Sequence, residues 1–434
     1  MGAAAGLSPQ HRRLLWLLGV ASFFEGYDFS AVTVALPQLR DSFGLSQSTA
    51  SLWVAILYLG AAPALWLSRY ADRAGRRRAL LISITGYTIA TAATAVVPSI
   101  EAFVGVQFAA RLFLAAEVAL AWTVVAEELP ADRRGIGFGI LALASALGSG
   151  WASILQGALL APLHGSWRWL YAAAVPVLVV AALLRRSLPE SSRFATVARR
   201  QELAQRWTAI LRPPHLGRLA LLAGTVFLLQ LTSQAIVFVV DFMQTQRGLS
   251  SSAANFTLVA SGALALPLLV VAGRLSDRIG RKPIACIALL VEAAGLACFF
   301  FLAHTEWELF LGLALTYAGT FGAWPTAGSY ASELFPTALR ALGNSAVGVA
   351  KLLGQFSSFM LAGAFIAATG SLSVAVLVLT VGPLAGAVLI ALHFPETGGR
   401  DLDEVSAVAL PPYAGVTAVP EPAAPTMVPK IPGA

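Results

Sequence analysis

Six ionisable residues stand where ionisable residues are expensive. Glu25, Asp28, Arg111, Glu117, Glu292 and Lys351 each lie well inside a long apolar stretch of the chain. A charge at mid-bilayer depth costs about 2.5–3.5 kcal/mol on insertion scales, whereas a leucine contributes only about 0.3–0.6 in the opposite direction. Left unpaired, the six would together cost on the order of 18 kcal/mol. They must pair, titrate or line a wet cavity. Glu25 and Asp28 are three positions apart and therefore share one face of a helix. Two close carboxylates cannot both ionise cheaply, so one is a candidate to carry a proton, and a carboxyl exposed to each side of a membrane in turn is what proton coupling requires. The alternative is that one carboxylate pairs permanently with Arg111 and only holds two helices together.

Lys351 lies about ten residues inside its apolar stretch, too deep to snorkel comfortably, in a chain with only three lysines among its 29 basic residues. A central cation would attract a substrate carboxylate; pairing with a protein carboxylate and snorkelling are the two other readings. Gln230 and Gln234 are one turn apart and could hydrogen-bond a carboxylate or a hydroxyl. Phe24, Tyr27, Trp122, Tyr317, Phe321 and Trp324 lie near these charges and could stack on a planar substrate, or simply pack helices and meet lipid. Glu117 joins the substrate-facing candidates. Glu292 has no assigned role.

The elements that must position these residues follow from composition. Hydrophobic residues make up 57% of the 434 and charged residues 12%, against roughly 45–50% and 25% in a soluble globular chain. Too little polar surface remains to wet a water-soluble fold. Twelve apolar blocks run approximately 14–36, 51–68, 79–97, 102–126, 136–161, 167–184, 217–241, 253–272, 283–303, 307–331, 341–367 and 371–393, each about the length a spanning helix needs. The first block contains Glu25 and Asp28 and lacks a small-residue cleavage site, so it reads as a span rather than a signal peptide. The net charge of +7 gathers in short gaps and forms no basic domain, which excludes nucleic acid as a partner. Cys286 and Cys298 lie within one block and make neither a disulfide framework nor a metal site.

Positive charge sets the expected orientation. Of the 29 Lys+Arg, only Arg40, Arg168 and Arg247 fall in odd-numbered connections, and Arg111 and Lys351 lie inside blocks. The rest occupy the tails and even-numbered connections, so both termini are expected in the cytoplasm. The longest connection, 185–216, is arginine-rich and divides the blocks six and six. The domains so read are a bundle over 1–184, a cytoplasmic linker over 185–216, a second bundle over 217–393 and a tail over 394–434, whose Pro- and Ala-rich part after about 404 reads as disordered.

The chain repeats itself. Asp72-Arg73-Ala74-Gly75-Arg76-Arg77 recurs as Asp277-Arg278-Ile279-Gly280-Arg281-Lys282, and Glu127, Pro130, Arg134 and Gly137 recur at Glu333, Pro336, Arg340 and Gly343. Pro189-Glu190-Ser191 recurs as Pro395-Glu396-Thr397 at nearly the same offset. Duplicated halves of parallel topology suit a carrier that rocks about a central site. The second-half positions matching Glu25 and Asp28 are neutral, Gln230 and Ser233, which would confine titration to the first half.

These motifs resemble a known family. Gly273-Arg274-Leu275-Ser276-Asp277-Arg278-Ile279-Gly280-Arg281-Lys282 is similar to the loop signature of the major facilitator superfamily, and its first-half copy begins with Ser68 in place of the usual glycine. Pro189-Glu190-Ser191-Ser192-Arg193, Pro395-Glu396-Thr397-Gly398-Gly399-Arg400, Glu333-Leu334-Phe335-Pro336 and Trp167-Arg168-Trp169-Leu170-Tyr171 resemble the sugar-porter and organic-ion branches. Phe24-Glu25-Gly26-Tyr27-Asp28 is similar to the first helix of metabolite:proton symporters of the aromatic-acid group. The paired glutamines of sugar porters are only loosely echoed by Gln230 and Gln234, and the glycine motif of drug antiporters is absent from Leu143–Gly157.

The resemblance implies an all-α membrane protein of twelve transmembrane helices in two pseudo-symmetric six-helix bundles. Of the two proton-coupling candidates, Asp28 and Glu25, it favours Asp28 with Arg111 as partner, and it implies a basic residue at Lys351 in anion carriers. It also implies a cytoplasmic gate of Asp72, Arg73, Arg76, Glu127 and Arg134 with Asp277, Arg278, Arg281, Glu333 and Arg340; the alternative is that these residues only fix topology. The expected activity is proton-coupled symport of a small carboxylated, aromatic metabolite across the cell inner membrane, by a monomer in the lipid bilayer, without cofactor or metal. A sugar, polyol or organic-cation carrier, or an exporter, is the alternative on the same fold. An embedded enzyme would need converging catalytic groups, and the five histidines are scattered in loops and at helix ends.

Overall fold

The structure is a computed structural model that describes residues 8–129, 134–186, 215–335 and 340–396, except for the side chains of 68, 72, 73, 126, 127, 134, 135, 277, 324–329, 331–333 and 340–342. It is helical throughout the described residues. The first half comprises α1 (Pro9–Phe43), α2 (Gln47–Leu59, continued after a turn as Ala64–Ala74), α3 (Arg76–Thr94), α4 (Ile100–Glu128), α5 (Arg134–Ile154, ending in the π turn Leu155–Leu160) and α6 (Arg168–Arg185). The second comprises α7 (His215–Leu229, the tight turn Gln230–Thr232, then Ser233–Thr245), α8 (Ser251–Ile279), α9 (Arg281–Ala297, ending in Cys298–Leu302), α10 (Glu306–Glu333), α11 (Arg340–Thr369) and α12 (Leu372–Leu379 and Val381–His393). By length and composition nine of these can cross a membrane. The others, α1, α3 and α10, fill the three remaining expected positions. Twelve spans thus stand in two six-helix bundles.

Helix starts on the odd-connection side are written in the sequence. Ser46, Ser99, Ser250 and Ser371 each accept the backbone N–H three residues on, and Thr305 forms a capping box with Glu308, as expected where the first N–H groups lack helical partners. The even connections α2–α3 and α8–α9 work differently. Each is a single residue of the duplicated motif, Gly75 at φ 102° and Gly280 at φ 120°, a backbone conformation that a side chain would strain. The two motif copies thus share one conformation as well as one spelling.

Packing divides unequally between the faces. One apolar core, running from Ala35, Val54 and Phe103 to Phe238, Phe242 and Phe359, contains residues of both halves. Two further cores belong to one half each: around Leu15, Leu80 and Val125, and around Leu222, Leu289 and Phe335. The shared core occupies the odd-connection side and the separate cores the other. Contacts between described residues of the two halves follow it. Arg40 and Gln47 bond Asp241, Ser51 donates to the Phe359 carbonyl at 2.7 Å, and Ser252 donates to the Gly157 carbonyl at 2.6 Å. The halves are therefore joined on the odd-connection side.

Most of the linker and tail lies outside the described residues, but both ends of the expected linker are helical: His215 and Leu216 open α7. Arg185, read as the start of the linker, is the buried last residue of α6.

Candidate functional site

Helix α1 carries the first carboxylates, and its seat is set by two glycines. A Cβ at Gly26 would run into the Ser145 carbonyl of α5, and one at Gly148 into the Phe23 carbonyl of α1. Backbones therefore touch along this seam. The Asp28 side chain, only 1% exposed, meets α3 and α4. Its Oδ2 lies 3.2 Å from Arg111 Nε in an ion pair, and the Tyr87 hydroxyl donates to Oδ1 at 3.4 Å.

The Arg111 guanidinium, 11% exposed, lies 4.7 Å from the centre of the Tyr58 ring on α2, a favourable cation–π placement. Tyr58 in turn stacks on Phe359 of α11 at 5.1 Å. The buried ion pair is thereby in packing contact with the interface between halves. Arg111 Nη2 keeps no hydrogen-bond partner. Glu25, half-buried, lies in the field of both Lys351 of α11 and Arg111, so the charges of Glu25 and Lys351 act on each other across the two halves.

Several residues expected at the substrate site are elsewhere engaged. Tyr27 is buried and its hydroxyl donates to the Leu170 carbonyl of α6 at 2.6 Å; it fastens α1 to α6. Phe24 is buried edge-on against Phe23 and Tyr27. Glu117 is ion-paired with Arg185, which also donates to the Leu17 carbonyl at 2.9 Å. That pair neutralises two buried charges within the first half. Trp122 stacks on Phe138, away from the charges.

Tyr317 and Phe321 form a stacked pair, ring centres 5.7 Å apart, while the Trp324 side chain lies outside the described residues. Gln234 is fully buried with neither amide atom partnered. Gln230 accepts from Ser233 at 3.2 Å, so the second-half counterparts of Glu25 and Asp28 bond each other.

Four groups were not singled out from the sequence. Tyr58 and Tyr87 were silent there because nothing in spacing places a tyrosine beside a given aspartate. Gln156, fully buried in the π turn of α5 with both amide atoms unpartnered, was detectable as a polar residue in an apolar block. Asp241 with Arg40 was detectable only as a charge at each end of two blocks.

At the gate, the side chains of Asp72, Arg73, Glu127, Arg134, Asp277, Glu333 and Arg340 lie outside the described residues. Of the rest, Arg76 is buried and Arg278 exposed. Glu396 caps α9: its Oε1 accepts from the Arg281 N–H at 2.7 Å and its Oε2 from the Lys282 N–H at 3.2 Å. A carboxylate on a helix N-terminus is favourable for both hydrogen bonding and dipole. The repeated Pro-Glu motif thus meets the repeated loop motif.

An apolar groove of about 510 Å³ lies between α1, α5 and α6, lined by Trp16, Phe23, Leu143 and Leu147. Phe24 also lines it, but none of the six intramembrane charges does.

Two six-helix halves joined on one face, with a buried ion pair inside the first and Glu25 and Lys351 acting on each other from opposite halves, have the build of a membrane transporter. The profile described as Major Facilitator Superfamily matches residues 18–233 and again 222–420. The chain belongs to that superfamily. It is similar to the putative niacin/nicotinamide transporter NiaP of Bacillus subtilis, 25% identical over 396 residues that cover 90% of this chain and 98% of that one. It is also similar to the gallate transporter of Pseudomonas putida, 32% identical over 217 residues, 49% of this chain and 47% of that one. In fold it resembles the xylose transporter XylE from E. coli in an inward-open conformation, with a TM-score of 0.76 at 18% identity over 91% of this chain and 99% of that one.

Proposed function

We propose that this chain imports a small carboxylated, aromatic metabolite together with a proton, by alternating access, in the cell inner membrane with both termini cytoplasmic. The observation that carries the reading is the buried Asp28–Arg111 pair, 3.2 Å apart, packed through Tyr58 against Phe359 of the other half. A proton on Asp28 cancels its charge and frees Arg111, whose Nη2 is unpartnered, to bind an anion. Lys351 supplies a second cation from the other half, and a substrate carboxylate would compete with Glu25 for it. Niacin and gallate, named for two relatives, are carboxylated ring compounds, and Tyr317 with Phe321 offers stacked rings for such a ligand. One proton carried with one monoanion moves no net charge, so the gradient it sustains follows the pH difference, about tenfold per pH unit.

On this orientation the joined face is extracytoplasmic and the substrate pathway opens to the cytoplasm. A hydroxylated substrate is the second reading. It is favoured by Gln156 and Gln234, whose buried amides are unpartnered and suit sugar hydroxyls as well as carboxylates. Uptake into proteoliposomes of labelled nicotinate, benzoate, gallate and xylose, with and without an inward pH gradient, tests both. Gradient-driven accumulation of an acid supports the first reading; accumulation of xylose alone refutes it.

A further inference from the structure

Of the six intramembrane charges, Glu292 is the one that the reading above leaves unused and that holds no ion pair among the described residues. Its α9 helix lies tightly against α10: a Cβ at Gly319 would meet the Glu292 backbone, and the carboxyl is 7% exposed. The groups facing it are hydroxyls. Thr232 of α7 donates to Oε1 at 3.0 Å, and the Thr320 hydroxyl of α10, which donates to the Thr316 carbonyl at 3.0 Å, lies close to the carboxyl. Among the described residues no Asp, Lys, Arg or His acts on it from α7, α8, α10 or α12; Cys286 and Cys298, each six residues away, are the nearest titratable side chains in sequence. A buried carboxylate with only neutral donors is an uncommon arrangement for a permanently charged group.

Its partner stands at a break. α7 tightens into a single 3₁₀ turn at Gln230–Thr232, where the Ser233 N–H goes to Gln230 rather than to the Leu229 carbonyl. Mid-helix turns of this kind often mark hinges. The Thr232 hydroxyl lies 3.3 Å from that Leu229 carbonyl as well as 3.0 Å from Glu292, and it has one hydrogen to give. On the far side, Ser358 of α11 pins the same break, donating to the Leu231 carbonyl at 2.7 Å and accepting from the Gln234 N–H at 3.0 Å.

We propose that Glu292 is a second proton-binding site, in the second half, and that its proton is read out at the α7 break through the Thr232 hydroxyl. When Glu292 is ionised, Thr232 donates its hydrogen to the carboxylate and the Leu229 carbonyl loses that donor. When Glu292 is protonated, its O–H donates to Thr232 Oγ1, and the Thr232 hydrogen turns back to the Leu229 carbonyl. One proton added thus reverses one hydrogen bond and creates another inside α7, next to Gln230 and Gln234. Titration is then not confined to the first half. The inference does not depend on Asp28 being the coupling residue.

The test uses the full chain in lipid nanodiscs without substrate, titrated from about pH 5 to about pH 9, the range in which buried carboxyls are found to titrate. Infrared difference spectra report protonated carboxyl C=O bands, and hydrogen-exchange protection factors report the amides of 229–234. The expected result is one band, lost on raising pH, that Glu292→Gln lacks and Asp28→Asn retains, together with pH-dependent protection at 229–234 that Glu292→Gln abolishes. Thr232→Val should keep the band but lose the pH dependence of protection. An identical set of titrating bands in wild type and Glu292→Gln overturns the proposal. So does pH-dependent protection that survives in Glu292→Gln or in Thr232→Val.

Discussion

Replacing Asp241 by Asn should shift the transporter away from the conformation described here. Asp241 is wholly buried and receives both Arg40 and, at 2.8 Å, Gln47 from the opposite half. Both contacts cross the joined face and must break when that face opens. Asn keeps an acceptor for Gln47 but removes the charge that Arg40 meets. A hydrogen bond to a charged group contributes about 1.5–3 kcal/mol. Arg40 is 17% exposed and can turn to water, so the larger penalty of about 3–5 kcal/mol for stranding a deeply buried charge does not apply in full. A loss of about 2 kcal/mol changes the equilibrium about 30-fold, so a population ratio of about 10:1 in favour of the closed face would become about 1:3. Spin labels at Thr49→Cys and Gln246→Cys, in a background with Cys286 and Cys298 replaced, read the separation across this face by electron–electron resonance. The expected change is a longer-distance population in Asp241→Asn and in Arg40→Gln, with the two effects non-additive in the double variant. A distance distribution unchanged by Asp241→Asn, or a coupling energy below about 0.5 kcal/mol in the cycle, would refute the latch.

Three other perturbations probe the site and its scaffold. Asp28→Asn should abolish uphill uptake while retaining counterflow exchange of the substrate identified in the uptake panel; retained uphill uptake removes Asp28 from coupling. Lys351→Ala should raise the apparent KM for acids about tenfold or more, the loss of one charge-assisted contact, with Lys351→Arg recovering part of it; an unchanged KM places Lys351 outside the site. Gly148→Leu, whose side chain would collide with the α1 backbone, should lower the Tm of the solubilised protein through an overpacking cost of about 1–3 kcal/mol or more, whereas Gly150→Ala, with open space around it, should leave it unchanged.

What the sequence disclosed depended on whether the relevant physics was local or pairwise. Span number and duplication were legible because hydropathy and motif offset are properties of the chain itself, and Gly75 and Gly280 adopting one positive-φ conformation confirms the duplication at backbone level. The need for buried charges to pair was also legible, since it follows from the bilayer alone. Which charges pair was not. Glu117 pairs with Arg185, a residue whose place at the arginine-rich edge of a connection disguised it as a topology determinant. Tyr27 and Phe24 flank Glu25 and Asp28, which leaves ligand stacking and helix packing equally open in the sequence; neighbours on a helix point to different faces, and theirs are turned to α5 and α6.

The two halves meet the same demand from the bilayer by different means, and the difference suggests where transport chemistry can occur. In the first half Asp28 meets Arg111 and Glu117 meets Arg185, so each cation holds a carboxylate within its own bundle. Such pairs move with the bundle and need not break when it rocks. Glu25 and Lys351 belong to opposite bundles, so their mutual field must change whenever the halves tilt. A substrate carboxylate arriving at Lys351 would replace Glu25, and the displaced carboxylate would then need a proton or a new cation; Arg111, already in its field, is the nearest candidate. On that reading substrate binding and protonation are linked because one cation cannot serve two anions, and the linkage weakens if Glu25 is made neutral. Glu25→Gln should therefore bind acids more tightly at low pH gradient yet accumulate them less when a gradient is imposed. Parallel losses in binding and accumulation would instead make Glu25 a plain substrate contact.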